Sequence, residues 1–171
     1  MESRWSCCIG TAAVLLAGVL GSSGAGAQEA VLKPIPAAEC QKFAAQIQTA
    51  VGFTMTATED DYTDLAAGSE GRSCHIAGSA ANQTFAAPAD LMAKIAAVFT
   101  GWREDPARAD DGPDGADKEF ANGARLAAIG VSWEPGAGTA CSDKEPLSAC
   151  KLQPQQKLWT AIVDIAEKGG K

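Results

Sequence analysis

The chain is expected to fold as an α+β protein of two layers. An antiparallel sheet of about five strands is covered on one face by two helices, in the order α-β-β-α-β-β-β. Three observations predict this. Two segments repeat apolar residues at helical spacing, and each opens with a proline, Pro36 and Pro88. Asn122-Gly123 stands between two runs with strand character and reads as a hairpin turn, because both central positions of a type I′ turn need positive φ. No alternating strand–helix series of the kind that builds a parallel sheet is present.

The N-terminal 27 residues read as a cleavable export signal, and residues 28–171 as a single disulfide-stapled domain. Arg4 lies in a short polar start, Ile9–Leu20 is an uncharged apolar run, and Ala25-Gly26-Ala27 is a small-x-small site. Those are the three parts of a signal peptide. The apolar run is far shorter than the ~20 residues that span a bilayer, so no transmembrane segment is expected in the mature chain. Residues 28–35 look like an extended lead-in.

Pro36 can open a helix, since its missing N–H is not needed there. Cys40, Phe43, Ala44, Ile47 and Val51 then share one side, predicting a helix over 36–50. Phe53–Thr58 alternates and is rich in threonine, so it reads as a strand. The acidic run 59–64 and the Gly-Ser region to Gly71 read as a polar loop, and Arg72–Ala80 as a second strand. Pro88 opens the second helix, with Leu91, Ile95, Val98, Phe99 and Trp102 aligned. Glu104–Asp117 is rich in Asp, Gly and Pro and is expected to be an exposed loop. The hairpin arms follow on either side of Asn122-Gly123. The apolar, β-branched segment 157–166 is read as the last strand, with a helix as the alternative.

Cys40, Cys74, Cys141 and Cys150 follow the export signal. In an oxidising compartment they read as two disulfides with three possible connectivities. Cys40–Cys74 would pin the first helix to a strand, and Cys141–Cys150 would close a short irregular loop. Zinc ligation is disfavoured, because no Cys-x-x-Cys pair is present.

The formal charge of −7 works against nucleic acid and anionic lipid. The Ala- and Gly-rich composition fits a bacterial source, hence a periplasmic or secreted location. Partners are expected to be an envelope or extracellular protein or ligand. His75 is the only histidine, so histidine-dependent hydrolysis would rest on it. If Cys74 and Ile76 face inward, His75 faces out. Ala67-Gly68-Ser69-Glu70-Gly71 is a loose cousin of the nucleophile elbow but lacks its strand-to-helix context. The acidic loop offers Asp110, Asp114 and Asp117 beside Gly112 and Gly115, an oxygen-rich and flexible set that suits calcium. The spacing does not fit an EF-hand, since Ala121 stands where the bidentate glutamate belongs. Trp102, Trp133 and Trp159 could line a groove, but each lies on an apolar face and reads as core.

The series Gly101-Trp102-Arg103-Glu104-Asp105-Pro106, Asp110-Asp111-Gly112-Pro113-Asp114-Gly115, Phe120, Ser132-Trp133-Glu134-Pro135, Cys141, Cys150 and Leu152-Gln153-Pro154-Gln155-Gln156 spans the C-terminal half. It resembles the motif pattern of an uncharacterised family of small exported bacterial α+β proteins. The resemblance implies the fold class and export, and it assigns no activity. No cofactor is expected beyond calcium. With no nucleophile, metal or cofactor signature assembled, the sequence points to a non-catalytic binding or interaction module. A small hydrolase using His75, or a protein stabilised by calcium through the 110–117 loop, are the alternatives.

Overall fold

The computed structural model describes residues 31–64, 68–139, 141–142, 144 and 146–169. The expected signal segment lies outside them. The chain runs β1 (Leu32–Pro34), α1 (Ala37–Val51), β2 (Thr56–Asp64), β3 (Ser69–Ala80), α2 (Pro88–Ala96), β4 (Arg103–Asp111), β5 (Gly115–Asn122), β6 (Arg125–Pro135) and β7 (Lys157–Lys168). A 3-10 turn, Ala97–Phe99, extends α2. The strands form one sheet in the order β2-β3-β1-β7-β6-β5-β4, with β3 also paired to β7.

The expected five-stranded antiparallel sheet is therefore corrected. The sheet has seven strands and is mixed, because β1 runs parallel to β3. The two added strands come from segments without a strand pattern. β1 is a short wedge between β3 and the end of β7. It fits because Gly71 has no side chain: a Cβ there would stand 2.1 Å from the Leu32 carbonyl oxygen. β4 occupies most of the supposed exposed loop, and β2 runs through the acidic segment also read as loop.

The helices match their apolar spacing. Cys40, Ala44, Ile47 and Val51 of α1 are buried, as are Leu91, Met92 and Ile95 of α2. Both helices cover one face of the sheet, whose inward residues include Cys74 and Ile76 on β3, Ile129, Val131 and Trp133 on β6, and Trp159, Val163 and Ile165 on β7. Phe99 stacks between Phe43 and Phe120, with ring centroids 5.5 and 5.9 Å apart, and Trp102 meets the edges of Phe43 and Phe99. Trp133 and Trp159 are core residues. The helical alternative for 157–166 is excluded, since β7 pairs with β6 along its length.

The hairpin forms, but its turn lies one residue further on than expected. Asn122 pairs with Arg125, so the two-residue loop is Gly123-Ala124. Only Gly123 in that loop has positive φ, at 62°. A glycine first with φ > 0 suits a type II′ turn, the other favoured hairpin connection.

Both disulfides have the expected connectivity. Cys40 of α1 joins Cys74 of β3, and Cys141 joins Cys150. No helix among the described residues is long and apolar enough to cross a membrane.

Candidate functional site

Strand alternation gives the sheet a second face that neither helix covers. Two rows of residues cross it. In one, Asp117 on β5, Gly130 on β6, Ile162 on β7 and Ala77 on β3 stand side by side. In the next, Glu119, Ala128, Asp164, His75 and Thr58 follow the same strands out to β2. The β6 positions are small, so they form the floor of a trough whose walls rise from β5 and β7.

The outer strands are bridged across this trough. β4 leaves register with β5 between Asp105, which pairs with Glu119, and Asp110, which pairs with Asp117. Residues 106–109 thus face only Lys118. Such a bulge bends its strand and re-aims its side chains, and here it carries Arg108 across the open face. The Arg108 guanidinium donates to Asp64 at the end of β2 and, at 2.8 Å, to Glu119. β2 and β4 are the two margins of the sheet. In a flat sheet the five spacings along β2-β3-β7-β6-β5-β4 would hold them roughly 24 Å apart. A direct ion pair requires the sheet to curl around its uncovered face.

The result is a cavity of about 690 Å3, lined by Tyr62, Asp64, Arg108, Asp117, Glu119 and Asp164 around Ala128, Gly130 and Ile162. At one end Tyr62 packs on a small apolar cluster of Leu32, Leu126 and Ala166. Burial and the carboxylates nearby, Asp64 first, push the Tyr62 hydroxyl up, so it stays protonated. Burial raises Glu119 despite the opposing Arg108 charge. Asp117 is raised by burial and by Asp110 opposite it.

The Asp117 shift has a consequence for stability. A carboxyl raised in the folded state binds protons more tightly there, so stability falls as pH rises through and above its ordinary range near 4. Asp117→Asn removes this loss. The variant is expected to melt higher than the parent at pH 7 and to converge with it at pH 3, which thermal melts across that range check.

His75 faces out from between buried Cys74 and Ile76, as the alternation requires. Its Nδ1 lies 2.9 Å from Asp164 Oδ1, and the Ser73 hydroxyl donates to the same oxygen at 2.7 Å. This is the base-and-orienter half of a hydrolytic triad. The serine, however, is bonded to the acid and not to the outer imidazole nitrogen, so His75 does not activate it in this arrangement. Ser69, from the elbow-like run, begins β3 and is buried; it does not sit at a strand-to-helix turn.

Of the three aspartates read as calcium ligands, Asp110 and Asp117 face each other across β4 and β5. Asp114 lies in the turn between them, its carbonyl accepting the Trp133 N–H at 3.0 Å. Among the described residues no group of three or more His, Cys, Asp or Glu side chains is placed to hold a metal. The indole N–H of Trp133 donates to Pro113 at 2.9 Å, so this turn is fastened to β6 by tryptophan.

Asp64, Arg108, Glu119 and Asp164 carry the site, and sequence reasoning did not select them as site residues. The one signal available was the alternation in β7, which sets Ile162 and Asp164 on the face opposite Val163 and Ile165. Comparison with protein-family models, curated proteins and solved structures gives no match for the chain.

Proposed function

We propose that the protein is an exported, non-catalytic binding module that holds a small ligand in the trough on the uncovered face of its sheet. The carrying observation is the open trough of about 690 Å3 that the Arg108–Asp64 bridge crosses. Its volume lies within the range of small-molecule sites, and it combines a few polar groups with an apolar floor as such sites do. Export is supported by the two disulfides, which persist in oxidising compartments such as the periplasm or the extracellular space. The His75–Asp164 contact borders the trough and serves this reading by fixing the orientation of the Asp164 carboxylate.

A thermal-shift screen of small metabolites against the oxidised protein and Ile162→Arg tests the proposal. Ile162 is exposed, so the arginine is accommodated at the surface while it fills the trough. Compounds that raise the parent's melting temperature and leave the variant's unchanged are expected. A screen without hits, or hits indifferent to the substitution, would reject the trough as the binding site.

A further inference from the structure

We infer that the ligand of this trough is a small organic cation, an amine or guanidinium carried on a short apolar body. The inference rests on the binding reading above and adds the chemistry of the ligand. Four carboxylates line the cavity, Asp64, Asp117, Glu119 and Asp164, against two cationic side chains, Arg108 and Lys118. Both cations are already engaged. Arg108 is held by Asp64 and Glu119, and Lys118 Nζ lies 2.8 Å from Glu104 on the neighbouring strand. Among the lining residues, an entering anion would therefore meet carboxylates and no uncommitted positive charge.

An entering cation meets the reverse. Asp117 has no ion-pair partner among the described residues, and Asp164 has only His75 and the Ser73 hydroxyl. The two stand in adjacent rows on opposite walls, one strand apart from the Gly130–Ala128 floor between them. Asp164 is mostly shielded from water, its side chain 15% exposed, which strengthens a charge-assisted hydrogen bond it accepts, while Asp117 is exposed at the trough's mouth and open to an entering charge.

The apolar requirement comes from Ile162. It is 39% exposed and one of two large hydrophobic side chains left exposed among the described residues. It lies in the Asp117 row, so a ligand placing its charge on the carboxylates lays its body against isoleucine. The size limit comes from the bridge. Arg108 and Asp64 tie the sheet margins together across the face, which favours a small molecule over a polymer threaded along the trough.

Titration calorimetry of the intact oxidised protein with agmatine and cadaverine, and with glutarate as the anionic counterpart, tests this. Agmatine or cadaverine is expected to bind, more weakly at high salt, while glutarate does not. Asp117→Asn and Asp164→Asn are each expected to weaken binding about tenfold or more. Asp117 has no hydrogen-bond or ion-pair partner among the described residues, so its variant reads the charge without disturbing a described network; a melt establishes folding for the Asp164 variant. Ile162→Arg is expected to abolish binding. No heat with either cation, or binding unchanged in both carboxamide variants, overturns the cation assignment. If a neutral or anionic compound binds instead and Ile162→Arg blocks it, the assignment fails and the binding reading stands. If no compound of any charge binds, both fail.

Discussion

Replacing Arg108 with alanine is expected to destabilise the protein by roughly 3 kcal/mol, because it removes the guanidinium that bridges two buried carboxylates, Asp64 and Glu119. The Asp64 side chain is 1% exposed and that of Glu119 is 10% exposed, so neither recovers its hydration in the folded state. The loss carries a pH signature. Arg108 opposes the upward shift that burial gives Glu119, so without the guanidinium the folded-state proton affinity of Glu119 rises further above its unfolded value. Folded protein then binds more protons than unfolded protein, and the variant regains stability as pH falls. Denaturant melts at pH 7 and pH 4 are expected to show a large deficit at the first and a smaller one at the second. An equal deficit at both would mean that Arg108 contributes through packing alone.

The second large effect is expected at the Cys40–Cys74 bridge. It spans 34 residues, against 9 for Cys141–Cys150. In the chain-entropy account, longer closed loops give up more unfolded-state freedom, which amounts to roughly 4 kcal/mol for the first and roughly 2.5 for the second. The first also lies in the core, with Cys40 and Cys74 buried between α1 and β3, so losing it loosens the contact between helix and sheet. The double variant Cys40→Ala/Cys74→Ala is expected to lower the melting temperature by about 10 °C or more. Cys141→Ala/Cys150→Ala is expected to lower it less. The reverse order in calorimetric melts would place the stabilising restraint in the C-terminal loop.

The parts of this fold that sequence reading reached are those where burial imposes a period. Both helices, β6 and β7 expose one side and bury the other, and their apolar residues repeat accordingly. β4, and the acidic part of β2 beyond Thr58, escaped because they are margins. The β2 sequence TATEDDYTD has its charged residues Glu59, Asp60 and Asp61 exposed, and β4 contains Pro106 and a bulge. Charges, proline and irregularity protect free sheet edges from pairing with other chains. The same features remove the alternation by which a strand is recognised. β1 was missed because its three residues are too few to show a period.

The site was less legible than the fold, for a related reason. Its walls come from Asp64, Arg108, Glu119 and Asp164, which lie on four strands and are joined only by pairing order and curl. Asp110, Asp114 and Asp117 drew notice by being close in sequence. Of these, only Asp117 lines the trough; Asp110 is exposed on the outermost strand and Asp114 serves the turn. Nearness along the chain was a poor guide on a face built from alternate residues of many strands.

The curl of the sheet depends on a contact between its two margins, and a double-mutant cycle on Asp64→Ala and Arg108→Ala measures that contact directly. Partners that touch share an interaction term, and the cycle is expected to return a coupling of about 1 kcal/mol or more. Additive effects, within about 0.5 kcal/mol, are what residues on the separated edges of an open sheet would give, and that result would remove the bridge and the trough it crosses.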